Sequence, residues 1–183
     1  MNQQSKAEKN RKLINEISNV KLFKTLNRYG LTFLISVAVP VVVGLISALL
    51  IRGNTSVYDE LLKPPLAPPP IVFPLVWTVL YVLMGICFAL VLINRTPDNV
   101  SSVAEGVRLY ILSLILNFGW SIVFFNLRQL GASFVLVIGL LLTVAKTAVS
   151  YHKIYPPAAW LQLPYILWLL FATYLNAFYL IVT

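Results

Sequence analysis

Five long hydrophobic runs, separated by short polar segments, dominate the chain. They cover residues 29–51, 70–94, 109–127, 129–145 and 154–183. A helix needs about 20 apolar residues to cross the roughly 30 Å hydrocarbon core of a bilayer, and each run has or approaches that length. The runs are continuous rather than alternating, which favours spanning helices over the strands of a barrel. The pattern predicts an all-α integral membrane protein, a bundle of five transmembrane helices.

The same pattern sets the expected helix boundaries, which are 29–51, 71–94, 105–126, 130–151 and 156–183. Pro40 lies in the middle of the first helix and is expected to kink it. The last helix opens at two prolines, which suit a first turn. Very short links join the third, fourth and fifth helices, so these are expected to be antiparallel neighbours. Residues 1–28 are predicted to be a basic cytoplasmic tail, and residues 29–183 one membrane domain.

Composition supports a membrane location and argues against a nucleic-acid partner. Only 11% of the 183 residues are charged, whereas soluble chains carry about 25%. The formal charge of +8 is uneven, because seven of the 14 Lys and Arg residues lie in the first 28 positions. A basic segment before a membrane helix is typical of a cytoplasmic tail that faces anionic lipids.

The distribution of basic residues also predicts the topology. With the N-terminus inside, the inner segments hold eleven Lys and Arg residues and the outer segments hold only Arg52, Lys63 and Arg128. The positive-inside rule therefore predicts a cytoplasmic N-terminus and an outer C-terminus. We expect the membrane to be the plasma membrane. The tail itself is open to two interpretations, an interfacial helix or a partly disordered tether on the inner leaflet.

The first loop, residues 52–69, is the longest connection after the tail. Five of the seven residues at 64–70 are proline. Such a run is stiff because each proline ring fixes a backbone angle. A stiff loop beside a membrane cavity is predicted to act as a lid.

Three of the predicted helices carry aromatic or polar residues at spacings of three and four, which place them on one helix face. The stripes are Phe73, Trp77, Tyr81 and Met84 on the second helix, Asn117, Trp120 or Ser121, and Phe124 on the third, and Tyr165, Trp168, Ala172 and Asn176 on the fifth. Polar side chains in a membrane helix are costly unless they face the bundle or a cavity. The two asparagines are therefore expected to point inward, either toward a ligand or as bonds between helices.

No catalytic or metal-binding constellation is predicted. The helix cores contain no carboxylate, and Cys87 and His152 each stand alone, so no metal and no required cofactor is expected. Val149, Tyr151 and Lys153 match the loose pattern proposed for sterol contact, which makes them a possible sterol or lipid site.

Several longer motifs resemble one known family. They are V-Y-D-E-L-L-K-P-P-L-A-P-P at 57–69, V-W-T-V-L-Y-V-L-M-G at 76–85, L-N-F-G-W-S-I-V-F-F at 116–125 and L-P-Y-I-L-W-L-L-F-A-T-Y-L-N at 163–176. In their order and spacing these resemble the translocator protein family, whose bacterial members are called TspO or tryptophan-rich sensory proteins and whose mitochondrial member is the peripheral benzodiazepine receptor. The resemblance covers about residues 30–183.

The resemblance implies a five-helix bundle, often dimeric, with a ligand pocket capped by the first loop. Family members bind porphyrins and related tetrapyrroles, and the mitochondrial member also binds cholesterol and drug-like molecules. The ligand here is accordingly expected to be a porphyrin or a lipid-like small molecule. The positions that match the family's pocket are Tyr58, Leu66, Trp77, Asn117, Trp120, Phe124, Tyr165, Trp168, Ala172 and Asn176.

Two departures from the family pattern bear on activity. Val57 and Leu66 stand where the family usually has tryptophan, and the tryptophan at the second position is associated with light-driven porphyrin breakdown in some bacterial members. Leucine has no indole ring to stack or to take part in redox chemistry. The expectation is therefore a receptor or carrier rather than an enzyme. The alternatives are a light-dependent porphyrin-degrading enzyme and an accessory subunit with no ligand of its own.

Overall fold

The computed structural model describes the backbone of residues 3–182 and the side chains of residues 27–182. Its helices are α1 (Gln3–Ile51), α2 (Val57–Glu60), α3 (Val72–Ile93), α4 (Val100–Ser121), α5 (Leu130–His152), α6 (Pro156–Trp160) and α7 (Leu163–Val182). A 3-10 turn, Pro97–Asn99, precedes α4, and a π-helical turn, Ile122–Asn126, follows it. Within the described residues, five stretches are long and apolar enough to span a membrane. The predicted all-α membrane bundle is confirmed.

The first helix is longer than the hydropathy pattern predicted. It begins at Gln3, whereas its membrane-spanning stretch begins at Asn27. Residues 3–28 contain neither glycine nor proline. Their helix propensity therefore allows α1 to begin well before the first residue of the apolar run. The predicted boundary between tail and membrane domain lies inside this helix. The predicted lipid contacts of the tail concern side chains outside the described residues, Arg28 excepted, and stay predictions.

The last predicted helix is broken. It consists of α6 and α7, separated by a turn at Leu161 and Gln162. Pro164 explains the break, because its nitrogen has no hydrogen to donate to the carbonyl of Trp160 and its ring would collide with that carbonyl in a continuous helix. The prediction of one helix over 156–183 missed this break. The other boundaries agree to within one residue, except for those of α4. This helix starts five residues early, after a reciprocal capping box formed by Thr96 and Asn99, and it ends at Ser121, where the π-helical turn continues to the predicted end at Asn126.

Pro40 has a specific consequence for packing. It lies inside α1, and its missing N–H leaves the carbonyl of Ser36, four residues earlier, without its helical partner. The hydroxyl of Tyr110 on α4 donates to that carbonyl at 3.3 Å. Gly85 of α3 packs against the same backbone, since a Cβ there would lie 2.5 Å from the Ser36 oxygen. Helices α1, α3 and α4 thus meet at the Ser36 carbonyl that Pro40 leaves without a helical donor.

The remaining helices complete the bundle. The backbone of α1 packs along α3, α4 along α5, and α5 along α7, while α6 lies against α5 and α3. The predicted contacts of neighbouring helices are therefore confirmed. The main core is rich in aromatic rings and draws residues from α2, α3, α4, α5 and α7, and a smaller core around Cys87, Val91 and Tyr151 lies near α6.

Candidate functional site

An aromatic cavity lies under the first loop, enclosed by α2, α3, the end of α4 and α7. Its walls include seven of the ten predicted site residues, which are Tyr58, Trp77, Trp120, Phe124, Trp168, Ala172 and Asn176. They come from segments far apart in the sequence. The stripes on α3, α4 and α7 therefore do face one another.

The rings of this site contact one another in a continuous set. Trp77 is central, with its ring centroid 5.9 Å from that of Trp120 and 6.4 Å from that of Trp168. Phe124 stacks on Trp120 at 5.5 Å. Tyr58 of the loop lies edge-on to Phe73 at 4.8 Å. Such offset and edge-to-face arrangements each stabilise by about 0.5–1.5 kcal/mol beyond burial alone.

Asn176 is held by bonds between helices. Its Oδ1 accepts a hydrogen bond from the indole Nε1 of Trp120 at 3.3 Å and lies 3.2 Å from the hydroxyl of Ser133. Its Nδ2 donates to the carbonyl of Ala172 at 2.8 Å. The side chain lines the cavity, but its oxygen already joins α4, α5 and α7. In this conformation Asn176 acts as a bond between helices.

Asn117 and Tyr165 lie behind the cavity wall rather than in it. The Nδ2 of Asn117 donates to the hydroxyl of Tyr165 at 2.9 Å, and both side chains are buried. Tyr165 packs edge-on against Trp77, with centroids 6.2 Å apart. These two predicted site residues therefore support Trp77 from the side away from the cavity.

The first loop closes the outer end of the site and is held by a hydrogen bond within the loop and by contacts with α7 and with the α4–α5 connection. The hydroxyl of Tyr58 donates to the carbonyl of Pro68 at 2.8 Å, and that of Tyr174 on α7 donates to the carbonyl of Pro65 at 2.9 Å. Arg128, between the π turn and α5, pairs with Glu60 at 3.0 Å. The predicted lid is thus a loop tied to α7 and to the α4–α5 connection.

Leu66 is a predicted site residue in the same loop, but it does not help to close the site. Its side chain is 84% exposed, and its φ of 70° puts it in the left-handed region, which leucine rarely adopts. It does not line the cavity. The loop therefore presents Tyr58 to the site and turns Leu66 away from it.

Four further residues line the cavity and were not among the predicted site residues, namely Phe73, Phe125, Leu175 and Tyr179. Phe73 already belongs to the aromatic stripe of the second predicted helix but was not chosen as a site residue. Tyr179 lies three residues beyond Asn176, so extending the α7 stripe would have found it. Phe125 could not be found this way, because adjacent residues of a regular helix face different directions. The π-helical turn brings it in beside Phe124, with centroids 4.9 Å apart.

The cavity is nearly filled by its own walls. Its free volume is about 20 Å³, enough for about one water molecule, whereas pockets for drug-sized ligands have roughly 300–1,000 Å³. Two donors in the site have no hydrogen-bond partner among the described residues, the indole N–H of Trp168 and the hydroxyl of Tyr179. The arrangement can hold a flat apolar molecule only after some of the rings move apart.

The possible sterol or lipid site does not form one surface. Val149 is 61% exposed, whereas Tyr151 is 0% exposed and packs inside the smaller core. Lys153 is exposed just beyond the end of α5. Residues two apart on a helix point in widely different directions, so Tyr151 does not share an outer face with Val149.

The sequence of this chain is similar to those of several known proteins. The sequence model of the TspO/MBR family matches residues 36–181. A tryptophan-rich protein TspO from Chlorobaculum tepidum is 38% identical over 119 residues, which is 65% of this chain and 74% of that protein. The translocator protein of Ovis aries is 40% identical over 123 residues, 65% of this chain and 70% of that protein. A tryptophan-rich sensory protein from Cereibacter sphaeroides is 33% identical over 119 residues, 65% of this chain and 72% of that protein.

Proposed function

The chain belongs to the TspO/MBR family, and from this premise we propose that it is a membrane receptor or carrier that binds porphyrins or other flat apolar ligands in the aromatic cavity. The observation that carries the proposal is the convergence of eight aromatic side chains from the loop, α3, the end of α4 with its π turn, and α7 on one cavity in the bundle. The flat macrocycle of a porphyrin can stack on these aromatic side chains and bury apolar area against them.

A tetrapyrrole would have to replace contacts that the rings now make with one another. Because the ligand-free cavity is nearly full, binding would separate Trp77 from Trp120 or Trp168 and insert the macrocycle between them. The lost ring–ring contacts would be regained against the ligand. The unpartnered donors of Trp168 and Tyr179 would give the site its few polar contacts, and unpaired polar groups of this kind favour ligands that can accept a hydrogen bond.

The carboxylates of a porphyrin would lie at the loop end of the site. A carboxylate buried in the bundle without a partner would be strongly disfavoured. At the loop, the Nζ of Lys63 lies 5.2 Å from the ring centroid of Tyr58 and 3.2 Å from Asp59. We expect Lys63 to exchange part of its contact with Asp59 for a ligand carboxylate, an exposed interaction worth about 1 kcal/mol at most.

Two alternatives remain as competing outcomes. A light-dependent porphyrin-degrading enzyme is disfavoured by Leu66, which has no redox-active ring and points away from the cavity. An accessory subunit without a ligand is disfavoured by the aromatic cavity. The relatives named above are called translocator and sensory proteins, and both words suit a receptor or carrier better than an enzyme.

A titration of the purified protein in detergent with protoporphyrin, first in the dark and then under light, tests the proposal. We expect saturable binding and a porphyrin absorption band that stays stable under illumination. Bleaching that requires both light and the protein would favour the enzyme. An absence of saturable binding would remove tetrapyrroles from the proposal. The dimethyl ester of protoporphyrin should bind only a few-fold more weakly, because the Lys63 contact is exposed.

The matched variants Trp77→Leu and Trp160→Leu test the location of the site. Trp77 is central to the cavity, whereas Trp160 is 63% exposed on α6 and does not line it. Truncation of a central aromatic contact typically costs about 2 kcal/mol or more, so Trp77→Leu should weaken protoporphyrin binding by about thirtyfold or more and Trp160→Leu should leave it unchanged. Unchanged affinity in a folded Trp77→Leu variant would show that the ligand binds elsewhere.

The proposed location is the plasma membrane, with the N-terminus in the cytoplasm. The basic residues that the topology assigns to the outer side, Arg52, Lys63 and Arg128, all lie at the loop end of the bundle, while Arg95 and Lys153 lie beyond the opposite ends of α3 and α5. A Ser5→Cys variant should resist a membrane-impermeant maleimide in intact cells and react after lysis. Labelling in intact cells would contradict the topology.

A further inference from the structure

A second apolar space lies on the outside of the bundle, between α3 and α7. It is an open groove of about 420 Å³, far larger than the aromatic cavity. One wall is formed by Leu75, Val79 and Leu80 of α3, and the other by Pro164, Leu167 and Phe171 of α7. Both helices are among the stretches that span the membrane. The groove therefore faces the hydrocarbon of the bilayer.

Trp168 is the residue that separates the groove from the cavity. Its side chain lines both spaces. Aromatic contacts hold it, with ring centroids 5.8 Å from Phe73, 6.4 Å from Trp77 and 5.6 Å from Phe171. Its indole N–H has no hydrogen-bond partner among the described residues. Rotation of this indole would break no hydrogen bond and would join the two spaces.

The helices on either side of Trp168 pack mainly on other helices rather than on each other. Of the two helices that form the groove, α3 packs on α1, and α7 packs on α5. The space between α3 and α7 is bridged largely by aromatic side chains. By contrast, the water-facing end of the cavity is closed by a proline-rich loop that hydrogen bonds and an ion pair fix to α7 and to the α4–α5 connection. The weakest barrier around the cavity is therefore the one that faces lipid.

We propose that the α3–α7 groove is the membrane-side entrance to the aromatic cavity, that Trp168 is its gate, and that an acyl chain of a bilayer lipid occupies the groove while the gate is closed. The part concerning ligand entry rests on the proposed function. A porphyrin with an apolar macrocycle partitions into the bilayer, and a lateral entrance spares it a passage through water.

A hydrocarbon chain is the occupant that the groove walls fit. The residues that line it carry no charge, and their only polar atom outside the backbone is the indole nitrogen of Trp168. A helical protein partner would cover Leu75 and Leu167 equally well, but nothing polar in the groove would orient it. Flexible chains fill an irregular open groove without such orientation, and bilayer lipid supplies them at high local concentration.

The kinetic test uses protoporphyrin and protein reconstituted in phosphatidylcholine vesicles. The double variant Val79→Phe/Leu167→Phe fills the groove from both walls without changing a residue of the cavity. Its matched control is Val135→Phe/Leu142→Phe, the same substitutions at two exposed positions of α5. A blocked entrance raises the barrier between the free and the bound state without changing the free energy of either state. Association and dissociation should therefore slow by the same factor, about tenfold, while Kd stays within about twofold.

Other kinetic results would overturn this entrance. Unchanged rates in the groove-filling variant would show that the ligand enters elsewhere. A large rise in Kd would show that the groove is part of the binding site itself rather than its entrance. Equal slowing in the α5 control would assign the effect to altered protein–lipid packing in general.

A second measurement tests whether an acyl chain occupies the groove. It uses no porphyrin, so its result holds even if the proposed function fails. In vesicles of phosphatidylcholine with brominated acyl chains, the Trp168 component of the fluorescence is the difference between the native chain and Trp168→Phe. We expect this component to be quenched, and the quenching to fall by about half or more when the groove is filled by Val79→Phe/Leu167→Phe, because bromine quenches tryptophan fluorescence only at close range. Quenching that the filled groove does not reduce would contradict an acyl chain in the groove.

Discussion

The two sides of α3 are built in opposite ways. On one side, α3 packs on α1 through small residues, and Gly85 approaches the backbone of Ser36 and Val37 so closely that there is no room for a methyl group. On the other side, α3 and α7 stand apart, bridged by Phe73, Trp77 and Trp168, with an open groove outside them.

A membrane bundle can in this way combine a fixed frame with an adaptable site. Helices in lipid associate through close packing and hydrogen bonds, because lipid is as apolar as the side chains themselves. The contacts of α1 use both, because Gly85 of α3 packs closely on its backbone and Tyr110 of α4 donates to its Ser36 carbonyl. The α3–α7 contact uses bulky rings, which can rearrange while the helices stay in place. Ligand-dependent movement is therefore expected at the second contact and not at the first.

The substitution Gly85→Ala should break the fixed side and have the largest effect. A Cβ at residue 85 would lie 2.5 Å from both the oxygen of Ser36 and the Cα of Val37. Both are backbone atoms, so α1 and α3 would have to separate. Overpacking of this kind costs about 1–3 kcal/mol and more where backbone must move, and we expect a loss of at least about 3 kcal/mol. Unfolding in detergent, followed by tryptophan fluorescence, measures it.

A matched glycine in α5 provides the control for this substitution. A methyl group added at Gly139 would meet no atom within 4 Å, so Gly139→Ala should leave stability unchanged or raise it by up to about 1 kcal/mol through helix propensity. If Gly85→Ala were as stable as Gly139→Ala, the α1–α3 contact would not be the fixed frame described above.

The sequence predicted the frame of this fold better than its details. Continuous apolar runs are sufficient to predict five spanning helices, because the bilayer sets their length. Helix ends depend on local chemistry instead. The polar residues after Gln3 extend α1 beyond the membrane, and Pro164 divides the last helix. Neither effect changes hydropathy, so the runs alone could not reveal them.

Helical periodicity predicted the three tryptophans of the site, although Phe73 and Tyr179 lie on the same stripes and were not among the predicted site residues. Trp77, Trp120 and Trp168 lie on regular stripes and do meet at the cavity. Phe125 enters through a π-helical turn, and the φ of Leu66 turns its side chain outward. Loop geometry and helix irregularities arise from tertiary packing, which the spacing of residues does not encode.

The far side of α7 offers a smaller test of the same comparison. There Asn176 joins α7 to α4 and α5 through Trp120 and Ser133, so α7 should be fixed on this side and free only toward α3. Asn176→Leu keeps the volume but leaves the buried indole N–H of Trp120 without its partner, which should cost about 2 kcal/mol of unfolding free energy.

The same detergent unfolding measurement checks this expectation, with Asn27→Leu at an exposed position as the control. The loss of the Asn176 oxygen should have little effect on Ser133, because its hydroxyl also lies 2.8 Å from the carbonyl of Leu130 and can donate there instead. In a Trp120→Phe background, Asn176→Leu should therefore no longer lower the free energy of unfolding, since phenylalanine has no N–H to leave unpaired. If Asn176→Leu lowered the free energy of unfolding by as much in the double variant, packing around Asn176 rather than its hydrogen bond would hold α7 in place. In that case α7 would be fixed by shape on this side, as α3 is fixed against α1.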